Sequence, residues 1–300
     1  MAATYSKPAL TFDEQVGLLQ SRGMDVPDVE AARRVLAAVS YYRLSAYAYP
    51  FRKHDDLDSF QPGTTFERIV QLYEFDRRLR LVLLDAIERV EVAVRTRITY
   101  EFAHRHGPFG HHDPANFEPW FRHDEWLSRL DREVDQSKET FVQHYRRKYD
   151  GFPHVPLWMA TEVMSFGALT LLYKGCQRDL RAEIAAVFGC HESVLATWLL
   201  CVSYVRNLCA HHSRVWNRDL SLAPKLPKHD GRWRSPVMAR GDRAYTVLLL
   251  LRSATRSLDV DGGWAASVGA ALGEDLRDPF IARGTGIHGD WTKHPIWSAP

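Results

Sequence analysis

The clearest helical pattern of the chain is TFERIVQLYEFDRRLRLVLLDAIERVEVAVRTRITYEFA, residues 65–103. Its apolar side chains recur at steps of three and four, apart from one longer step between Tyr73 and Leu79. They are Phe66, Ile69, Tyr73, Leu79, Leu83, Ile87, Val90, Val94 and Ile98. The pattern predicts a helix from about Thr65 to about Ala103. Because most globular helices are shorter than about 25 residues, a kink or a long hairpin arm stays open.

Helical patterns also cover most of the remaining chain. Thr11 and Glu14 have the spacing of a capping box, which predicts a helix that begins there and stops near Arg22-Gly23. Further helices are predicted at about 28–39, 118–149, 157–174, 178–188, 192–210 and 242–258. No alternating strand pattern of useful length occurs, so the predicted fold is all-α.

Three segments lack a clear helical period. The aromatic segment YYRLSAYAYPF, residues 41–51, is predicted to anchor the N-terminal helices through Tyr41, Tyr42 and Arg43. Residues 221–240 form a proline-rich, irregular linker that is basic through Lys225, Lys228, Arg232, Arg234 and Arg240. The glycine-rich end is predicted to be a packed tail. We predict one domain over residues 1–300, with an N-terminal helical segment at about 1–60, a core at about 61–260 and a tail at 261–300.

The composition argues against several classes of protein. A chain of 300 residues with a net charge of +2 is too weakly basic for bulk binding of nucleic acid, so any anionic partner must meet local patches. The four cysteines, Cys176, Cys190, Cys201 and Cys209, form no CxxC pair, which favours reduced thiols and a cytoplasmic location. The first residues lack the apolar region of a secretory signal, and no run of 18 apolar residues predicts a membrane span.

Polar residues concentrate after the apolar run VLATWLLCVSY, in the stretch VRNLCAHHSRVWNRDL, residues 205–220. They are Arg206, Asn207, His211, His212, Arg214, Asn217 and Arg218, and the first acid is Asp219. In a straight helix Arg206 and His211 point about 140° apart, and His212 lies about 120° away on the other side. They share a site only if the helix distorts near Cys209-Ala210 or if two copies meet at a symmetric interface.

These side chains suit the cleavage of RNA by its own 2′-hydroxyl group. Imidazole takes and gives protons near neutral pH, a guanidinium binds phosphate oxygens through its planar fork, and the amide of Asn207 orients a neighbour. Such a reaction requires no metal ion and no cofactor. The plain alternative is that arginine and histidine near a helix end only complement its dipole and cap its carbonyl groups.

The stretch RNLCAHHSRVWNR resembles the RNxxAHHxRxWNR block of Abi-like proteins (the AbiD/AbiF type), which are bacterial abortive-infection proteins of the HEPN superfamily. Further blocks resemble the same family in the same order. They are KPALTFDEQVGLLQSRGM at 7–24, YYRLSAYAYPF at 41–51, LYEFDRRLRLVLLDAIERVEVAVRTRI at 72–98 and DWTKHPIW at 290–297. The resemblance therefore spans most of the chain.

The resemblance implies a HEPN-like helical bundle that forms a homodimer and cleaves RNA at a composite, metal-independent site. Carried over, Arg206 and His211 are the arginine and histidine of the Rx4–6H motif, and Asn207 is the polar residue beside the arginine. His212 also satisfies the motif and is a lesser candidate. The implied activity is that of an endoribonuclease toxin in antiviral defence, with RNA as substrate and no membrane partner. A phage trigger or an inhibitory partner stays open.

A second hypothesis is a non-catalytic module that senses an RNA or a phage protein. Under both hypotheses Arg214 and Arg218, at i and i+4, are expected to line one helical face and to contact RNA phosphates. Additional candidates for phosphate contact are Arg146, Arg147, Lys148 and the basic residues of the 221–240 linker. Trp216 and Trp233 are candidates for stacking on bases, with burial the better prediction for Trp216.

Other groups of residues have a simpler explanation. Arg97 and His104 also fit an Rx6H spacing, but Arg97 has an ion-pair partner at i+4 in Glu101. Cys209, His211 and His212 lack a recognisable zinc spacing, and HRHGPFGHH, residues 104–112, has no nearby cysteine, so no metal site is predicted. The absence of GxSxG argues against a serine hydrolase.

Overall fold

The regular structure is helical throughout the residues that the structure describes, which are Ser6, 8–234, 241–258 and 260–298. This computed structural model contains helices α1 to α14 and, within that part of the chain, no β-strand. Bridges between single residues join Asp25 to Thr65, Arg52 to Phe60 and Phe117 to Cys176. The predicted all-α fold is therefore confirmed.

The chain divides into two compact units, Met1–Arg78 and Leu79–Pro300, with the boundary inside α4. The first unit contains α1 (Phe12–Ser21), α2 (Val29–Val39), α3 (Tyr41–Ala48) and the first part of α4 (Phe66–His106). The second contains the rest of α4 and α5 (His123–Gln136), α6 (Thr140–Lys148), α7 (Leu157–Val163), α8 (Phe166–Gly175), α9 (Arg178–Val187), α10 (Glu192–Ala210), α11 (Ala244–Ser257), α12 (Trp264–Leu272), α13 (Pro279–Thr285) and α14 (Pro295–Ser298). The predicted single domain, subdivided near residues 60 and 260, stays a prediction.

Helix α4 is continuous over 41 residues, which corresponds to a length of about 60 Å. At its start the Thr65 hydroxyl accepts a hydrogen bond from the Arg68 amide, and after its end Gly107 adopts a left-handed backbone with φ +78°. Phe75 and Asp76 fill the longer step in its apolar pattern, and both are fully buried. The apolar period is interrupted there because one buried position is a carboxylate.

Two segments predicted as single helices are each broken in two. The segment predicted at 118–149 forms α5 and α6, because Ser137 has an extended backbone and its hydroxyl accepts a hydrogen bond from the Glu139 amide. The segment predicted at 157–174 forms α7 and α8, because Ser165 caps α8 through the Ala168 amide. Serine hydroxyls compete in this way with the helical hydrogen bonds of the backbone, whereas apolar periodicity continues across both breaks.

The C-terminal segment is more regular than the sequence predicts. It forms α12, α13 and α14, and it buries Trp264, Ile281 and Ile296. The Trp264 indole donates a hydrogen bond of 2.7 Å to the Val82 carbonyl, which ties α12 to α4. The tail is therefore packed, as predicted, but it is packed as helices.

In the first unit a buried hydrogen bond joins α3 to α4. The Tyr47 hydroxyl donates to Asp76 Oδ2 at 2.6 Å, and both residues are buried. Tyr41 accepts a hydrogen bond from the Arg22 guanidinium, in line with its predicted anchoring role. The same prediction for Tyr42 is wrong, because this side chain is 88% exposed. Tyr47 lies five positions after Tyr42, so the two point about 140° apart, to different sides of the helix.

Replacing Tyr47 with phenylalanine is expected to lower the free energy of unfolding by about 1.5–3 kcal/mol, because a buried carboxylate loses a donor. Urea unfolding followed by circular dichroism measures the change. Tyr49→Phe is the matched control: Tyr49 is 59% exposed, and a change within about 0.5 kcal/mol is expected. Equal stabilities of the two variants would contradict the assigned role of the hydrogen bond.

Candidate active site

Helix α10 is a core helix that carries the candidate residues in its last turn. It packs against α8, α9 and α11, and it buries Leu199, Val202 and Val205. Its length and apolar composition also meet the requirements of a membrane span, but 56% of the tested stretch is buried inside the protein. Arg206 and Asn207, by contrast, are exposed to solvent. Helix α10 is therefore apolar and buried along most of its length and polar and exposed at its C-terminal end.

Two histidines form the Schellman turn that ends α10. His211 is the C-cap residue, and His212 follows with φ +54°, in the left-handed region. The His212 amide donates to the Cys209 carbonyl at 3.0 Å, and the Ser213 amide donates to the Leu208 carbonyl at 2.8 Å. These two hydrogen bonds define the motif, in which glycine is the usual left-handed residue. Histidine is one of the few other residues enriched in this conformation.

The turn leaves the two principal candidates accessible. Arg206 and His211 are both exposed, and Arg206 Nη1 lies 3.4 Å from Asn207 Oδ1. Within the described part of the chain neither Arg206 nor His211 forms an ion pair with a carboxylate. The guanidinium and the imidazole are therefore open to an anionic ligand.

The end of α10 does not distort in the way that would bring these side chains together. The helix is regular through Ala210, and the His211 amide donates to the Asn207 carbonyl at 3.0 Å. The separation of about 140° between Arg206 and His211 therefore persists within one chain. The alternative of a distortion near Cys209-Ala210 is wrong, and the composite site formed by two copies stays a prediction.

Arg206 lines a cavity of about 460 Å³ together with the outward side of α4 and with α7. Its charged walls are Glu88, Glu91 and Arg95 on α4 and Glu162 on α7. Arg95 pairs with Glu91 at 3.0 Å and with Glu162 at 3.5 Å, which fixes α7 against α4. Sequence analysis missed this arrangement, because only the i,i+4 spacing of Glu91 and Arg95 signals an ion pair.

Arg214 and Arg218 do not lie on a helix. Because the Schellman turn ends α10 at Ala210, residues 213–220 have no helical backbone, and the predicted common helical face is wrong. The two residues still lie close together, since Arg218 Nη1 is 3.4 Å from the Arg214 carbonyl oxygen. Both are partly exposed, and their contact with RNA stays a prediction.

A buried tryptophan anchors the segment after the turn. Trp216 is fully buried, as predicted, and its indole donates to the Ile281 carbonyl at 3.1 Å. Gly284 packs against the same ring so closely that a Cβ atom there would lie 2.3 Å from the indole nitrogen. Helix α13 therefore holds the end of the motif segment in place.

An arginine that sequence analysis missed clamps the same segment. Arg243 Nη1 donates to Asn217 Oδ1 at 3.0 Å, and Arg243 Nη2 lies 3.0 Å from Asp219 Oδ1. Asn217 has φ +51°, and its amide donates to the Gly284 carbonyl. No local signal reveals Arg243 as part of the site, because its partners are distant in the sequence.

Several basic residues predicted to contact RNA are engaged within the chain. Arg146 pairs with Asp135, and Arg232 pairs with Asp230 at 2.7 Å. Both arginines are nevertheless exposed, as are Arg147, Lys148, Lys225, Lys228 and Arg234. Arg240 lies outside the described residues. Phosphate contact at these positions stays a prediction.

Two further candidates have structural contacts. Trp233 is buried and its ring centre lies 5.4 Å from that of Trp198, so the prediction that Trp233 stacks on bases is wrong. Arg97 pairs with Glu101 at 3.6 Å, which is the simpler explanation offered for its spacing. His104 Nδ1 lies 2.8 Å from a backbone oxygen of its own helix. Among the described residues, no contact joins Arg97 to His104.

The four cysteines are free thiols. Burial raises the pKa of Cys176, Cys190 and Cys201 to about 12, so none of these three is a thiolate near neutral pH. Within the described residues no three His, Cys, Asp or Glu side chains are arranged to hold a metal ion.

The fold and this helix end define an all-α protein with an exposed arginine, asparagine and histidine. A family model described as Abi-like protein matches residues 34–217, which is more than half of the 300 residues. The chain therefore belongs to the Abi-like protein family. The match includes Arg206 and His211 and ends at Asn217, whereas the resembling blocks at 7–24 and 290–297 lie outside it. No curated protein and no solved structure matches the chain.

The left-handed position of His212 can be tested with two substitutions. His212→Gly is expected to be more stable than His212→Ala by about 1 kcal/mol, because only glycine adopts φ +54° without a steric cost. Both variants lose the same imidazole, so their difference isolates the backbone contribution. Thermal unfolding of the pair measures it. An alanine variant as stable as the glycine variant would contradict the assigned turn.

The packing of Gly284 on Trp216 is expected to be intolerant of a methyl group. Gly284→Ala should lower the free energy of unfolding by about 1–3 kcal/mol through overpacking. Gly269→Ala in α12 is the matched control, since nothing lies within 4 Å of its added Cβ atom, and it should be neutral or stabilising. Differential scanning calorimetry compares the two. A Gly284→Ala protein as stable as the control would show that α13 does not hold Trp216.

Proposed function

We propose that this Abi-like protein is a metal-independent endoribonuclease of the HEPN type that acts in the cytoplasm in abortive infection. Family membership supports the role in phage defence. The observation that carries the proposed chemistry is the exposed set of Arg206, Asn207 and His211, held at the end of a buried helix. A rigid core helix and a defined turn are the support that a catalytic constellation requires.

The proposed reaction is an attack by the RNA 2′-hydroxyl on the adjacent phosphorus. An imidazole accepts the 2′-hydroxyl proton, and the guanidinium of Arg206 stabilises the charge that develops on the phosphoryl oxygens. The bond from phosphorus to the 5′-oxygen breaks, and a second imidazole protonates that oxygen. The products are a 2′,3′-cyclic phosphate and a 5′-hydroxyl. The proposed role of Asn207 is to orient the guanidinium, and the 3.4 Å distance between Asn207 Oδ1 and Arg206 Nη1 supports this role.

The reaction requires a second copy of the chain. One protomer directs Arg206 and His211 about 140° apart, so a single chain cannot place both on one phosphate from these positions. A symmetric pair of helix ends provides two arginines and two histidines around one cleft. Under this proposal a homodimer is the active species. His212, whose backbone conformation is fixed by the turn, has mainly a structural role.

One observation favours a different function. The cavity beside Arg206 contains Glu88, Glu91 and Glu162, and carboxylates repel RNA phosphates. Arg95 neutralises part of this charge through its pairs with Glu91 and Glu162. The alternative is a non-catalytic sensor whose Arg206 end binds a protein or an RNA, and whose effect passes through a partner.

Cleavage of RNA in the presence of EDTA separates the two functions. We expect the wild-type dimer to cleave total RNA and to leave 2′,3′-cyclic phosphate ends. Arg206→Ala and His211→Ala should each reduce the rate by about 100- to 10,000-fold, as expected for loss of a group that acts in the transition state. His212→Gly, which keeps the turn, and Arg97→Ala, which lies outside the site, should cleave at rates close to wild type.

Folding and dimerisation must be equal for all variants, as judged by circular dichroism and light scattering. Binding of RNA without cleavage by the wild type would favour the sensor module. Cleavage that survives in His211→Ala and is lost in His212→Gly would transfer the catalytic role to His212.

A further inference from the structure

Four histidines gather in the second unit, away from Arg206 in the sequence. His111 and His112 lie in a short turn after α4, His123 begins α5, and His154 lies in the loop before α7. The ring centres of His111 and His112 are 4.2 Å apart, and those of His112 and His154 are 4.4 Å apart. His123 Nε2 lies 2.9 Å from the His111 carbonyl oxygen. We call this group the histidine cluster.

Few neighbouring groups could stabilise a positive charge on the rings of the histidine cluster. In the described part of the chain, His111 Nδ1, His112 Nε2 and His123 Nδ1 are buried without a hydrogen-bond partner. Two carboxylates lie beside the rings: the fully exposed Asp124, 3.6 Å from His123 Nδ1, and Asp131, 3.7 Å from His154 Nε2. A proton placed on a central imidazole is therefore opposed by burial and by the neighbouring imidazoles.

The direction of the pH effect follows from burial. Burial lowers the pKa of His111 to about 3, with additional opposition from His112, His123 and His154. Burial also lowers the pKa of His112 below the ordinary value of 6.5. A histidine with a lowered pKa binds more protons when it is released from the fold. The stability that it contributes is fully present above pH 6.5 and is lost as the pH falls below that value.

The cluster is connected to the wall of the Arg206 cavity. The Pro108 carbonyl, in the loop between His106 and His111, accepts a hydrogen bond of 2.8 Å from the Leu157 amide at the start of α7. The same helix carries Glu162, which lines that cavity and pairs with Arg95. Movement of the loop therefore removes a support of α7, and with it a support of the cavity wall.

We propose that the histidine cluster is an acid-sensitive latch that joins three chain segments when its rings are neutral and releases the start of α7 when a buried ring is protonated. The buried imidazole gains one proton, and no bond is broken other than hydrogen bonds. The latch is independent of the proposed RNA cleavage, since its opening is a structural change. It would make the shape of the Arg206 cavity depend on pH even if His211 had no catalytic role.

Hydrogen exchange of the full chain at pH 7.5, 6.0 and 5.0 tests the latch, with rates corrected for the intrinsic pH dependence of exchange. We expect protection of residues 107–117 and 150–163 to fall below pH 6.5 by about tenfold per pH unit for one proton taken up, and so by about thirtyfold at pH 5.0. Protection of α10 should stay unchanged over the same range. A uniform loss along the whole chain, or no loss in these segments, would overturn the proposal.

Substitutions then attribute the effect to the cluster. His111→Phe/His112→Phe keeps aromatic rings and removes the titrating groups, and its protection at 107–117 should not depend on pH. His154→Gln changes a largely exposed side chain and so preserves the fold. It removes a ring whose charge opposes protonation of His111 and His112, and the loss of protection at pH 5.0 should become smaller. The matched control His288→Gln, at an exposed histidine outside the cluster, should respond as the wild type does. A His154→Gln protein whose protection depends on pH as the wild type does would refute the latch, even if the double variant fails to fold.

Discussion

The left-handed turn at His212 is the constraint on which the candidate site depends. Its two hydrogen bonds, to the Cys209 and Leu208 carbonyls, end α10 while Arg206 and His211 are still exposed. A helix continued by two more turns would have carried the arginines of the following segment along one face. Instead the chain leaves the helix axis and reaches Trp216, whose burial against α13 fixes where the motif segment runs. The backbone of a histidine thus has a structural role that differs from the role expected of its ring.

The two sides of helix α4 contribute to different parts of the second unit, the core and the cavity beside Arg206. Its buried side, with Leu83, Val90 and Val94, belongs to the core of the second unit. Its outward side contributes carboxylates and Arg95 to the cavity beside Arg206. Arg95 pairs with Glu91 on α4 and with Glu162 on α7, so it neutralises part of the negative charge next to the candidate site. Such partly buried pairs fix geometry more than they add stability. The surroundings of Arg206 therefore come from helices that are distant in the sequence.

The exposed cation and imidazole are compatible with chemistry on RNA, but the nearby glutamates restrict how a phosphate can approach. An anion that meets Arg206 from the solvent side avoids the carboxylates, whereas one that enters the cavity meets them directly. This distinction agrees with the proposal that the phosphate lies between two helix ends and not within a pocket of one chain. The weak overall charge of the protein is consistent with binding that depends on a few well-placed groups.

The sequence by itself determined the helical class of the fold, the burial of α4 and α10, the capping box of α1 and the family, because these depend on local periodicity and on contiguous motifs. It also singled out Arg206, Asn207 and His211. Only the tertiary structure decided where helices break at Ser137 and Ser165, because a hydroxyl competes with a backbone bond without changing the apolar period. It likewise decided that Arg214 and Arg218 lie off the helix and that Arg243 clamps the motif segment. These features depend on backbone conformation and on contacts between distant residues, which spacing along a chain does not encode.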